Sequence, residues 1–338
     1  MERTVVEALH PFLEVRPEGL YAPAFAAYVD PSVPVSRAIL SHAHSDHAVS
    51  GHGEVWATPE TLALYRRRHP EWNGAASAFS YGDGPEEAGV RLGLARSGHI
   101  LGSAQLRFEG SGTSILYTGD FKRRPSRTAR AAEAPRAAVL LTESTFGLPV
   151  FRFPTQAALE RRLVEACREA FSRSETPVLL AYALGKTQEA AAILAAAGIP
   201  TVLHGAAWKL VPEYAAAGFP LPLSRPYESG PARPGEALVV PPNCARTALV
   251  RNIRKRRVVY LSGWALRAAS RAEFDADVLL PFSDHADFEE LLAQVEEVGA
   301  ETVVATHGFA RDFARILSAR GRNALALREP SERPAEDA

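Results

Sequence analysis

The feature that most constrains this chain is a repeated pairing. A short apolar run, long enough for one strand, ends in a turn of small residues that carries a histidine, aspartate or glutamate. Ala38-Ile39-Leu40 runs into His42, and Val90-Arg91-Leu92-Gly93-Leu94 leads toward His99. Ser114-Ile115-Leu116-Tyr117 ends at Gly119-Asp120, and Ala138-Val139-Leu140-Leu141 ends at Glu143. Apolar and β-branched runs of this length, bounded by Gly, Ser and Asp, are strand signals. Each of these chemically active residues therefore sits just beyond a strand.

The pattern changes near residue 154. Thr155 is placed to cap an amphipathic helix from Gln156 to Ser172. Val178-Leu179-Leu180 reads as a strand, and Lys186 to Ala197 as a helix stopped by Gly198. This alternation predicts a smaller parallel α/β unit. Residues 218–243, rich in proline and glycine, read as loops and an edge. Near 257 the first pattern returns. Val258-Val259-Tyr260-Leu261 leads to Ser262-Gly263, and Val278-Leu279-Leu280 leads to Ser283-Asp284-His285. Asp287 with Glu290 predicts a capping box for a helix ending at Gly299, and Thr302-Val303-Val304-Ala305 delivers His307-Gly308.

Composition narrows the class. An apolar fraction of 46% over 338 residues is ample for a folded core, and a net charge of -1 gives no general reason to expect an acidic partner. The basic residues are mostly arginine, with short runs at Lys122-Arg123-Arg124 and Arg254-Lys255-Arg256-Arg257. Two cysteines make no disulfide framework, and Cys167 shares the apolar helix face of Leu159, Leu163 and Phe171, as a core thiol would. The start, Met1-Glu2-Arg3-Thr4, has no apolar stretch after it, and no run reaches the roughly eighteen apolar residues of a membrane span. The expectation is a soluble cytoplasmic protein.

His42-Ala43-His44-Ser45-Asp46-His47 places three histidines and an aspartate within six positions of a chain with ten histidines. Imidazole and carboxylate are the ligands that suit Zn²⁺ or Mn²⁺. Residues two apart in a tight turn can face one point, so His42 and His44 can chelate one ion. Asp46 and His47 aim at a neighbouring position. Four ligands so close cannot all reach one tetrahedral ion without strain, and two adjacent ions sharing a carboxylate relieve it. His99, Asp120 and His307 are the candidates for the remaining ligands. His10, His52, His69 and His204 lack such context and read as structural or solvent-exposed.

His42 through His47 matches the HxHxDH signature of the metallo-β-lactamase fold. Ser97-Gly98-His99 and Thr118-Gly119-Asp120 match its third and fourth motifs, and Asp30 stands where its first is expected. Three further motifs resemble the β-CASP nuclease branch: Glu143 in Thr142-Glu143-Ser144-Thr145-Phe146-Gly147, His285 in Ser283-Asp284-His285-Ala286-Asp287, and His307 in Thr306-His307-Gly308. Ala183-Leu184-Gly185-Lys186-Thr187-Gln188-Glu189 resembles a segment of that branch's inserted cap. The chain is most similar to the bacterial ligase-associated DNA exonuclease family.

The resemblance implies an α/β fold: a metallo-β-lactamase αββα sandwich with an inserted β-CASP α/β cap domain. The sandwich would occupy 1–150 and 256–328, the cap 151–255, and a flexible tail 329–338. It also implies two divalent metal ions, Zn or Mn. His42, His44 and His99 would hold one, Asp46, His47 and His307 the other, and Asp120 would bridge. His285, paired with Glu143, would be the general acid, Asp46 would belong to the catalytic centre, and Asp30 would orient a ligand histidine. The implied substrate is DNA, single-stranded or at an end, cut by an exonuclease acting from the 5′ end, in functional association with a DNA ligase. Lys122, Arg123 and Arg124 are candidate backbone contacts, with Lys186 and Ser262 as candidates for a terminal phosphate. The competing readings are an RNA nuclease of the RNase J or 3′-end-processing type and an inactive nucleic-acid-binding paralogue.

Overall fold

Strand residues point alternately to opposite faces of a sheet, and this alternation sorts the chain into layers. The computed structural model describes residues 4–327, so the tail expected at 329–338 lies outside the described residues. Two compact units form: Arg124–Ala129 with Phe153–Asp284 is one, and the remaining described residues are the other.

The larger unit contains two sheets. In the first, Glu14–Arg16, Gly19–Ala22, Ala27–Val29, Arg37–Ile39, Glu54–Ala57 and Ala75–Ala78 lie side by side in chain order. In the second the order is Asn323–Ala326, Thr302–Thr306, Val139–Glu143, Thr113–Tyr117, Ala104–Gly110, Val90–Arg96 and Glu86–Glu87. Val29, Ile39 and Trp56 of the first sheet share one buried core with Leu92, Leu106, Ile115, Tyr117, Val139, Leu141 and Val304 of the second. The alternate residues face outward. Ala38, Leu40, Val55 and Ala57 pack under Leu62 and Tyr65 of helix Pro59–Arg68. Leu116, Leu140, Val303 and Ala305 pack under helices Phe288–Val298 and Ala310–Ala319. The layers thus run helix, sheet, sheet, helix.

Local chemistry sets the helix ends. Thr58 accepts the N–H of Thr61, a proline fills the first helical position, and Arg66, Arg67 and Arg68 occupy the last turn, where cations suit the helix dipole. The capping box expected at Asp287 and Glu290 is present, and Gly299 ends that helix in the left-handed conformation.

The second unit holds a sheet in which every pairing is parallel, ordered Ser224–Pro226, Thr201–Leu203, Ala237–Val240, Thr176–Leu180, Arg256–Leu261 and Val278–Leu280. Helix Gln156–Ser172 has the expected ends, and Cys167 is fully buried with Leu159 and Leu163. The last two strands differ from the sequence-based division, which placed everything after 255 with the sandwich. Leu180 pairs with Tyr260 and Leu261 with Leu280, so this unit continues to Asp284. Apolar runs of three to six residues have the same periodicity whichever sheet they join, so the sequence pattern could not assign them. Among the described residues, no helix is long and apolar enough to cross a membrane.

Candidate metal centre

All seven candidate ligands lie in turns at strand ends of the sandwich unit. Strand Arg37–Ile39 leads into Ser41, whose N–H donates to Asp30 Oδ1 at 2.7 Å and whose carbonyl accepts the N–H of Ala104 at 2.8 Å. Asp120 follows strand Thr113–Tyr117 through Gly119, at φ +51°, where a Cβ would come within 2.7 Å of Ser41 Oγ. His99 is reached through Gly98, at φ +75°, where a Cβ would come within 2.2 Å of the Lys122 carbonyl. Only glycine fits either turn. His307 adopts φ +55°, and Ser144 Oγ donates to its carbonyl at 2.6 Å.

Asp120 is the hub. Its Oδ2 lies 3.5 Å from His42 Nε2, 3.6 Å from His47 Nε2, 3.7 Å from His99 Nε2 and 3.8 Å from His285 Nε2. His44 Nδ1 lies 2.9 Å from His99 Nε2. Asp46 is more exposed, with Oδ2 at 3.7 Å from His47 Nε2. The His307 ring centroid stands 5.5 Å from that of His47, so these two residues share the His47 side of the cluster.

Hydrogen bonding fixes one tautomer. Ser41 Oγ donates its only proton to Asp30 Oδ2 at 2.5 Å, so His42 Nδ1–H must donate to Ser41 Oγ at 2.9 Å. His42 Nε2 then carries a bare lone pair, buried and without a hydrogen-bond partner. A buried acceptor left in this state is costly, and a cation would satisfy it. His42, His44, His99 and Asp120 also bring ligand atoms within 4.8 Å of one another. The donor set and its orphaned lone pair fit a divalent metal.

The electrostatics agree. Burial, reinforced by His47, His99 and His44, holds His42 well below the usual imidazole range and keeps it neutral. Burial also opposes charge on His47, but Asp120, Asp46 and Asp30 outweigh it and raise that ring well above its usual value. Burial pushes the Asp120 carboxyl up against the pull of His285 and His47. A metal replacing the His47 proton would couple binding to pH.

Glu143 and His285 adjoin this cluster. Glu143 is 1% exposed, and its carboxylate accepts the Phe121 N–H at 2.8 Å and the Thr145 hydroxyl at 2.6 Å. His285 Nδ1 lies 3.0 Å from Oε2 and 3.2 Å from Oε1. Burial alone would raise the Glu143 carboxyl; His285, Thr145 and Phe121 together hold it below the usual range. The Nδ1 edge of His285 is thereby turned to Glu143 and its Nε2 edge to Asp120.

The basic candidates lie elsewhere than a solvated rim. Lys122 is fully buried. Arg123 donates to Gln294 Oε1 at 2.6 Å and to Glu297. The Arg124 guanidinium carbon sits 5.0 Å from the Phe153 ring centroid. Lys186 is 5% exposed, with Nζ 3.0 Å from Asp284 Oδ1 and 4.1 Å from the Tyr182 ring centroid. Ser262 is buried and caps the turn Gly263–Leu266 by accepting the N–H of Trp264. The Lys122–Arg124 run reads in the sequence as a set of candidate backbone contacts for nucleic acid; packing buries its first member and pairs its second. Sequence reading missed Tyr117, whose hydroxyl donates to Asp30 Oδ2 at 3.0 Å beside the contact from His47 Nδ1, also at 3.0 Å. The available signal was a tyrosine ending the strand that delivers Asp120.

No family model matches the chain. It is 36% identical over 318 residues, 93% of its own length, to a probable DNA ligase of Opitutus terrae, of which it covers 31%. Over 200 residues, 46% of the chain, it is 29% identical to the endoribonuclease YSH1 of Kluyveromyces lactis, covering 25% of that protein. The chain thus spans less than a third of the length of these curated relatives. A crystal structure of a protein of unknown function from Enterococcus faecalis superposes with a TM-score of 0.61 at 14% identity, over 88% of this chain and 80% of that one, a likeness of fold. A four-layer sandwich with histidines and aspartates gathered at its strand ends defines a class of metal-binding α/β proteins. Within that class, the layered fold and these relatives are consistent with the metallo-β-lactamase fold and its β-CASP branch.

Proposed function

We propose that this chain is a cytoplasmic, metal-dependent DNA exonuclease that hydrolyses phosphodiester bonds from the 5′ end, working with a DNA ligase in end processing. The observation that carries the chemistry is the convergence of His42, His47 and His99 Nε2 on one oxygen of Asp120, with His285, paired to Glu143, turning its Nε2 to the same oxygen. The choice of DNA is supported by the 36% identity, over 93% of the chain, to a relative named as a probable DNA ligase.

In this reading His42, His44 and His99 would hold one Zn²⁺ or Mn²⁺ and Asp46, His47 and His307 a second, with Asp120 as a further ligand. Such ions, when bound, supply Lewis acidity that makes hydroxide available near neutral pH and offsets the charge of the scissile phosphate. Asp30 and Ser41 fix the rings of His47 and His42 through their Nδ1 edges. Cleavage expels a 3′-oxyanion that needs a proton. His285, oriented by Glu143, donates it from Nε2. Lys186 and Asp284 form a buried ion pair within the smaller unit.

A second reading, an RNA nuclease, is favoured by the relative named as an endoribonuclease. Matched end-labelled DNA and RNA strands, with and without a 5′-phosphate, decide between the two when digested with Mn²⁺ and resolved by size. The proposal requires mononucleotide release from the 5′ end of DNA, abolished by EDTA, with RNA cut much more slowly. Equal or faster cleavage of RNA would overturn the choice of DNA, and internal cuts would overturn the exonuclease assignment.

A further inference from the structure

The turn that carries His42, His44, Asp46 and His47 has little regular structure of its own. From residue 41 to 53 the chain forms only bends and turns, so its carbonyl groups have no strand ladder to satisfy them. Inside the turn, His44 O accepts the N–H groups of His47 and Ala48. Four other carbonyls are met from one neighbouring segment. Arg68 Nη1 donates to Ala43 O, between the first two histidines. His69 Nε2 donates to Ala48 O at 3.0 Å, Tyr65 Oη to Val49 O at 2.9 Å, and Trp72 Nε1 to His52 O at 2.6 Å. The donors are prepositioned, since the Tyr65 ring packs against His69, Trp72 and His52.

The same helix, Pro59–Arg68, reaches a second ligand-bearing turn, that of His99, from its opposite end. Thr58 Oγ1 and Thr61 Oγ1 both donate to Gly102 O, at 2.6 and 2.9 Å, three residues beyond His99. A Cβ on Gly102 would come within 2.6 Å of the Thr61 N–H, so helix and turn are in direct contact. One rigid helix therefore ties the His99 turn at its start and the His42–His47 turn at its end. Its middle packs through Leu62 and Tyr65 onto Ala38, Leu40 and Ala48.

We propose that helix Pro59–Arg68 is a strut that sets the spacing of the two ligand turns before metal binds, with Arg68 as its main positioning residue. This rests on the ligand reading given above. A strut is needed because the bare cluster crowds imidazoles that burial strips of water, and the two hydrogen bonds to His44 O inside the turn leave four other carbonyls to be held from outside it. Arg68 bonds the carbonyl that lies between two of the ligands, and burial opposes its charge, with Asp46 offsetting only part of that. A donor held at such a cost between His42 and His44 acts on the backbone that aims both rings. Partners that orient metal ligands are typically worth 10- to 100-fold in metal affinity.

The test is Mn²⁺ binding to the full metal-stripped chain, followed by the loss of the free-ion electron paramagnetic resonance signal, with melting of the metal-free protein measured in parallel. Asp120→Asn tests the ligand reading alone: if wild type binds no Mn²⁺, or this variant binds as wild type does, the ligand assignment fails. Given wild-type binding, Arg68→Met should weaken it by about 10- to 100-fold, and Arg68→Lys, which keeps one charged donor, should recover part of the loss. Tyr65→Phe and Thr61→Val, each removing one hydroxyl, should each weaken it by about fivefold. Unchanged Mn²⁺ affinity in Arg68→Met, with or without a lower melting temperature, would overturn the strut. If Arg68→Met does not fold, unchanged affinity in both hydroxyl variants overturns it equally.

Discussion

Replacing Glu143 by glutamine removes one buried charge from a site with little room to rearrange. The carboxylate receives three donors: the Phe121 N–H at 2.8 Å, the Thr145 hydroxyl at 2.6 Å and His285 Nδ1 at 3.0 Å. A carboxamide offers one acceptor oxygen and one amino group. The Phe121 amide belongs to the backbone and cannot turn away, so the oxygen stays with it and the amino group faces Thr145 and His285. The threonine hydroxyl can rotate to accept. The protonated imidazole cannot, and it loses a hydrogen bond to a charged partner worth about 1.5–3 kcal/mol. That free energy corresponds to about 1–2 pH units in the balance between protonated and neutral ring. Single-turnover cleavage of DNA by Glu143→Gln should therefore lose its alkaline limb about 1–2 units earlier than wild type. Near pH 8 the rate should be about 10- to 100-fold lower, with a smaller deficit near pH 6. A 3′-S-phosphorothiolate linkage, whose leaving thiolate needs no proton, should restore most of the variant's rate. Wild-type rate and pH profile on the ordinary linkage, or an equal loss on both linkages, would refute proton donation by a Glu143-oriented His285.

Asp120→Asn should abolish cleavage yet raise the melting temperature of metal-free protein near pH 8 in EDTA, because burial disfavours the ionised carboxyl it removes; a lower melting temperature would contradict this. His52 is held down at about 4, mainly by burial and also by His69, while its Nδ1 accepts the Val35 N–H at 3.2 Å. The unfolded chain takes up this proton as pH falls from about 6.5 toward 4 and the native state resists it, so stability is lost over that window. His52→Asn, which keeps an acceptor but cannot titrate there, should lose less stability across it in acid denaturation. Cys167, fully buried and pushed up to about 12, should react with a thiol reagent only on unfolding; rapid labelling of the native thiol would count against its packing.

What was legible in the sequence was local. The helix from Gln156 to Ser172 and the capping box at Asp287 follow from residue spacing and cap chemistry, which act over a few positions. The candidate ligands could be named because they stand in turns past strands, four of them past Arg37–Ile39 of the first sheet and His99, Asp120 and His307 past strands of the second. What was not legible depends on tertiary partners. Nothing in Lys122-Arg123-Arg124 says that Lys122 is buried or that Arg123 meets Glu297, which stands on a helix far along the chain. The strands at Arg256–Leu261 and Val278–Leu280 have the composition of sandwich strands, and their register against Thr176–Leu180 assigns them to the other sheet. His52 and His69, read as structural or solvent-exposed, bond a backbone amide and a backbone carbonyl, and which partners they meet leaves no trace in side-chain spacing.

The central claim is that the histidines and aspartates around Asp120 form a two-metal centre. Crystals of the protein soaked in Mn²⁺ and measured for anomalous scattering test it most directly. The account predicts two anomalous peaks, one among His42, His44 and His99 and one among Asp46, His47 and His307, with Asp120 contacting both. No peak at this cluster, or Mn²⁺ bound only elsewhere on the molecule, would contradict it.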